Sequence, residues 1–273
     1  MSRMQNILEK AERDGSLRRV RPMPETMAST ALGYDAPDLI AAHADEPRPM
    51  ASEPAAVSRT VRGARFDRNL VAALASGSGT AEQYRALRTR LTQAERGSAV
   101  EVVLLTSPGR GEGKSLTAAN LALTMSHDLQ TRVCVVDANL RSPRLHGLFG
   151  VPETPGLGDV LAGGATLAEA LVGFDDQPVM LLPAGHPPSH PSELLGSTAM
   201  RRTIEMLRTQ FDRVIIDAPA AGPLADVGIL APLVDGVLLV VHAGVTTKPA
   251  IQEAVSTIPG DKFLGVVLNG GAA

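Results

Sequence analysis

Lys114 and Ser115 close a glycine-rich run, TSPGRGEGKS (106–115), whose residue types suit phosphate. Gly109, Gly111 and Gly113 let the chain turn its N–H groups inward with no Cβ in the way. Those groups, with the N-terminus of a helix behind them, make an anion site. A lysine at 114 reaches β- and γ-phosphates, and a hydroxyl at 115 ligates Mg²⁺. Pro108 stands where G-x-x-x-x-G-K-[ST] has its first glycine, so the match is irregular. Context supports it: VVLL ahead of the run reads as a strand, and LTAANLALTM behind it as a helix.

Two carboxylates extend the same chemistry. Asp217 ends the apolar run VIID and is followed by Ala218 and Pro219. An aspartate there holds Mg²⁺ directly or through water. Asp137 ends VCVVD and is followed by Asn139 and Arg141 in D-A-N-L-R. A second carboxylate near a γ-phosphate ligates metal or takes a proton from an attacking hydroxyl, and Arg141 offsets phosphate charge. Singly, each aspartate is equally a cap for the next turn. The histidines are scattered, with His186 and His190 in a Pro-rich loop that offers no clear third metal ligand.

The elements needed to gather these residues alternate. Apolar runs at 101–106, 132–137, 178–185, 212–219, 235–242 and 263–269 predict strands. Helical periods fall at 79–96, 114–128, near 166–172, and at 198–210, 223–233 and 247–257. Continuous Val/Ile/Leu strands between helices predict an α/β fold with a mostly parallel sheet covered on both faces. Ligands of such sheets bind beyond the carboxyl ends of the strands, where 107–115, Asp137 and Asp217 all fall. The predicted organisation is an N-terminal segment, 1–78, and a nucleotide-binding domain, 79–273. In the first, Met4, Ile7, Leu8 and Ala11 fit a short helix, and the Ala/Pro/Ser-rich stretch from Pro22 to about Asp67 fits a flexible, partly disordered linker.

A net charge of -3 gives no sign of bulk nucleic-acid binding. The single cysteine, Cys134, excludes an internal disulfide framework and fits a reducing compartment. No apolar run is long enough to span a bilayer, and the N-terminal residues carry no signal-peptide core. The expectation is a cytoplasmic protein that meets a membrane only through a partner. In the 79–96 helix, Thr80 with Gln83 fits a capping box. Glu82, Arg85 and Arg88 form E-x-x-R-x-x-R, which by spacing alone fits a solvated face with local ion pairs.

Together these segments resemble the bacterial tyrosine kinases. TSPGRGEGKS is similar to their variant Walker A, VCVVDANLR to their second Walker motif (D-x-D-x-R), and VIIDAP to their Walker B. The likeness continues through GLGDVLAG, LLPAG, PSELL and GVVLN, over roughly 79 to 271. It implies a P-loop NTPase fold of the MinD type and an ATP- and Mg²⁺-dependent enzyme that phosphorylates protein tyrosine. It implies a nucleotide site of Gly109, Arg110, Gly111, Glu112, Gly113, Lys114, Ser115 and Leu116, with Asn269 contacting adenine. Lys114, Asp137, Asp217 and Arg141 would be catalytic, and Ser115, Asp137 and Asp217 would face the metal. Glu82, Arg85 and Arg88 would make subunit contacts in a homo-oligomeric ring. The partner implied is a separate membrane adaptor of the chain-length-determinant class, which places the protein peripherally at the inner membrane, in control of exopolysaccharide synthesis and export.

Two features depart from that pattern. Asn139 stands where the second aspartate of D-x-D-x-R belongs, and an amide cannot supply its charge. Only Tyr34 and Tyr84 are present, and no tyrosine cluster follows GVVLN. Both features keep open a kinase-inactive ATPase or nucleotide switch that gates the same machinery. A partitioning ATPase of the ParA or MinD type fits less well, because Gly109 occupies the position of its signature lysine.

Overall fold

The computed structural model describes residues 59–270, apart from 95–98, 129–130 and 223–224. The short helix expected near the N-terminus, and the linker up to residue 58, lie outside the described residues. The strands are β1 (Arg59–Val61), β2 (Val102–Thr106), β3 (Val133–Asp137), β4 (Val172–Phe174), β5 (Val179–Leu182), β6 (Arg213–Asp217), β7 (Gly236–His242) and β8 (Phe263–Asn269). The helices are α1 (Val71–Leu74), α2 (Gly79–Gln93), α3 (Lys114–Ser126), α4 (Leu145–Phe149), α5 (Leu157–Leu161), α6 (Leu167–Ala170), α7 (Pro191–Leu195), α8 (Thr198–Gln210), α9 (Asp226–Leu230) and α10 (Lys248–Ser256).

One eight-stranded sheet runs in the order β1-β4-β5-β3-β6-β2-β7-β8. Every pairing is parallel except β4 with β5. Successive side chains point to opposite faces of a strand, so β2 sends Val102 and Leu104 to one core and Val103 and Leu105 to the other. The first core is closed by α5 to α10, through residues such as Leu157, Ile204 and Val227. The second is closed by α1 to α4. Helices on both faces explain why the central strands carry no polar alternation. Helix α3 is buried on nearly every side, and its small residues Ala118, Ala119 and Ala122 let it lie close to the sheet. Three strands in the middle, β3, β6 and β2, end side by side, with Asp137 level with Asp217 and Leu105 level with Asp217.

The folded unit begins earlier than residue 79. β1 pairs with β4, and Leu70 is 0% exposed in the core beneath α3. Phe66 meets Phe149 and Phe174 edge-on at 5.8 and 5.4 Å. The buried Asn120 clasps this segment to α3: its Oδ1 accepts from Ala72 N–H at 3.0 Å, and its Nδ2 donates to Asn69 O at 3.1 Å. Few large apolar residues do this work, so composition hides it among the Ala/Pro/Ser-rich stretch. Leu70→Ala is expected to cost about 2–5 kcal/mol in urea unfolding, because the cavity it leaves lies between packed helices. Helix α2 starts on Ser78, whose Oγ accepts from Ala81 N–H at 3.2 Å, and not on Thr80. The three-residue β4 and the short α4 and α7 were not expected from the sequence.

Candidate active site

The glycine-rich run joins β2 to α3 as a loop wrapped on the helix N-terminus. Gly111 and Gly113 take φ of +80° and +89°, which a side chain would strain. A Cβ at Gly113 would also collide with the Asn269 amide. The loop is held by its own polar groups. Ser107 Oγ donates to Gly109 O at 2.6 Å, and Gly109 N–H donates to Glu112 Oε1 at 2.9 Å. Gly109 and Glu112 therefore brace the loop, while Arg110, Gly111, Gly113, Lys114, Ser115 and Leu116 line a cavity of about 380 Å³.

Beneath Lys114 and Ser115 lie the two carboxylates, both fully buried at the ends of β3 and β6. They are not equivalent. Asp137 Oδ2 accepts from Arg144 and Leu145 N–H, both at 2.9 Å, and Oδ1 accepts from Asn139 N–H at 3.1 Å. It caps α4 and holds the loop after β3. Neither oxygen of Asp217 makes a well-formed hydrogen bond. Burial pushes both carboxyls above the usual carboxylate range. The Asp137 charge raises Asp217 further, and the Lys114 cation and Ser115 hydroxyl partly oppose this. A fully buried carboxylate with no partner, next to another, is what a divalent cation would relieve. Among the described residues no cluster of three or more His, Cys, Asp and Glu side chains is arranged for a metal. A cation at Asp217 and Ser115 would therefore complete its shell with water and phosphate oxygens, as Mg²⁺ does.

Arg141 lines the cavity as well. Its Nε donates to Asp226 Oδ2 at 2.8 Å, and its Nη2 donates to Ser192 Oγ at 2.7 Å. Asn139 turns inward and donates Nδ2–H to Ser142 O at 2.8 Å, a bond that an aspartate could not make. Asn269, the residue the resemblance assigns to adenine, lies against the glycine-rich loop. β8 runs level with β7 to its last residue, so Asn269 ends beside the loop and its Nδ2 donates to Glu112 O at 2.9 Å. Asp226 and Ser192 were missed in the sequence. They stand 85 and 51 positions from Arg141, and no local spacing marks them.

The E-x-x-R-x-x-R residues lie on α2, away from the cavity. Arg85 Nε donates to Glu82 Oε2 at 2.6 Å and its Nη1 to Ser76 O at 2.9 Å, while Arg88 Nη1 donates to Thr124 O at 3.3 Å. Each arginine thus has a local partner. Next to α2 runs the edge strand β8, where Leu268 is 68% and Val266 48% exposed.

No family model matches the chain. It is similar to the tyrosine-protein kinase YwqD of Bacillus subtilis, 35% identical over 215 residues, 78% of this chain and 90% of that protein. It is similar to the succinoglycan biosynthesis transport protein ExoP of Rhizobium meliloti, 34% identical over 69% of this chain and 25% of that longer protein. The kinase domain of the Escherichia coli tyrosine kinase ETK superposes with a TM-score of 0.72 at 27% identity, over 77% of this chain and 82% of that domain. With the three Walker-type segments assembled at one edge of the sheet, and YwqD matched across nearly its whole length, the chain belongs to the bacterial tyrosine-protein kinase family.

Proposed function

We propose that this chain transfers the γ-phosphoryl group of ATP to a tyrosine on another molecule, as part of the control of exopolysaccharide synthesis and export. The observation that carries it is the unpartnered, fully buried Asp217 directly below Lys114 and Ser115. The N–H groups around Gly111 and Gly113 cradle phosphate, and the Lys114 ammonium neutralises the charge that develops on the transferring group. Ser115 Oγ and Asp217 would hold Mg²⁺, with Asp137 adding its charge one strand away. Bound there, the ion would supply charge neutralisation to the phosphates. Arg141 offers its unpaired Nη1 to the same oxygens.

Tyr84 is not placed to be that acceptor. It is the one tyrosine among the described residues, half-buried between α2 and α3 with its hydroxyl beside Thr117 and Asn120. Burial raises its pKa, so its hydroxyl gives up its proton less readily. ATP labelled in the γ-phosphate tests the assignment: label is expected on protein tyrosine. Label found only as free phosphate, with every candidate acceptor present, returns the chain to the ATPase-switch reading favoured by Asn139.

The proposed partners are further copies of this chain and a membrane adaptor of the chain-length-determinant class. Among the described residues no helix is long and apolar enough to cross a membrane. ExoP supports the polysaccharide setting by its own role in succinoglycan transport. For self-association, α2 presents Arg85 and Arg88 on the side of Ala72 and Thr124, while Val266 and Leu268 of β8 lie exposed along its other side. Arg85→Ala with Arg88→Ala is expected to lower the mass in light scattering to that of a single chain. An unchanged mass leaves the local bonds to Glu82, Ser76 and Thr124 as the whole role of these arginines.

A further inference from the structure

Asp226 is 0% exposed, yet it carries no polar partner on its own helix, α9. Its Oδ2 accepts from Arg141 Nε at 2.8 Å, and its Oδ1 accepts from Ser192 Oγ at 2.6 Å and from Arg141 Nη2 at 3.4 Å. Ser192 Oγ in turn accepts from Arg141 Nη2 at 2.7 Å. The triad is closed: each of the three side chains bonds to both others. It also joins three separate segments around the cavity. These are the loop after β3, the start of α7, and the helix that follows the Asp217–Pro219 turn.

A buried ion pair of this kind is weak evidence for stability, since desolvation offsets much of its attraction. Its geometry is specific instead. Nε and Nη2 are consumed by the triad, and Nη1 makes no hydrogen bond to any described residue. The Arg141 side chain keeps 30% exposure where it lines the phosphate cavity. A free arginine would lose rotamer entropy on meeting an anion; this one is already fixed.

We propose that Asp226 and Ser192 are positioning residues, which hold the Arg141 guanidinium with Nη1 presented to the transferring phosphoryl group. The proposal rests on the phosphoryl-transfer function above. Arg141 touches the anion; Asp226 and Ser192 act only through it.

The test uses the full chain with ATP and Mg²⁺, and counts γ-phosphate lost from ATP to protein and water together. Arg141→Ala and Asp226→Asn are each expected to lower kcat about 10–100-fold. The double variant should be no slower than Arg141→Ala within about twofold, because the residues act as one unit. Ser192→Ala should fall about 3–10-fold, and Ser192→Thr, which keeps the hydroxyl, should recover most of that loss. The Kd for ADP, which lacks the γ-phosphate, should stay within about threefold in all of them. If Asp226→Asn fails to fold, the serine pair still decides. Wild-type kcat in Ser192→Ala, or a double-variant loss equal to the product of the single losses, overturns the proposal. So does full activity in Arg141→Ala. Lys114→Met separates the levels: if it alone is inactive, the triad is wrong and the phosphoryl-transfer function stands.

Discussion

Lys114→Met lowers transfer of the γ-phosphoryl group by about 100–1000-fold, the loss expected when a preorganised charge is removed from a transition state. Methionine keeps the length and apolar stem of lysine, so the N-terminus of α3 and the floor beneath it stay packed. Only the ammonium goes. It is the cation that faces both the cavity and Asp217, and it partly offsets the rise in that carboxyl's pKa. Phosphotyrosine on an acceptor and free phosphate must both fall, since either destination needs the same leaving step. A variant that keeps its rate on both readouts would reduce the glycine-rich run to an ordinary turn.

Asp217→Asn is expected to stop phosphoryl transfer while stabilising the nucleotide-free protein. The carboxyl titrates at 3.8 when free of the fold, and burial with Asp137 close by pushes it up to about 7. Between those values the folded chain holds a proton that the unfolded chain has released. Stability of the free protein therefore falls as pH rises through that window, and the deficit is complete above it. An amide has no charge to desolvate. At pH 8 the variant should melt higher by several degrees, or about 1–3 kcal/mol. At pH 5, where the native carboxyl is already protonated in the fold, the gain should shrink. Adding Mg²⁺ and ADP should raise the melting temperature of the native protein and leave the variant unmoved. A variant that melts lower at pH 8 would mean that Asp217 has a structural partner after all.

The central sheet was legible because burial on both faces leaves no room for polar residues. VVLLT, VCVVD, RVIID and GVLLVVH are uniform for that reason, and their last residues marked the chemical edge. Motifs contiguous in sequence were legible as well, down to Lys114, Ser115 and Asp217. Residues that act across the fold were not. Nothing near Asp226 or Ser192 announces Arg141, and nothing in GVVLN says that Asn269 will reach back to the carbonyl of Glu112. Asp137 could be read two ways, as a ligand or as a cap, and three backbone N–H groups show how much of it is cap. The N-terminal edge was hidden by scale: three residues of β1, one phenylalanine and one leucine turn an apparent linker into part of the core.

The bond from Asn269 to the glycine-rich loop has a consequence for how the chain is made. A ribosome delivers residues 106–115 long before residue 269, and domains begin to fold as they emerge. Until β8 docks on β7, nothing occupies the space that a Cβ at Gly113 would contest, and the Glu112 carbonyl lacks its donor. The half-made protein thus carries Lys114 and Ser115 without the final lock on the loop that leads to them. The loop therefore gains this brace only when the last strand closes the sheet.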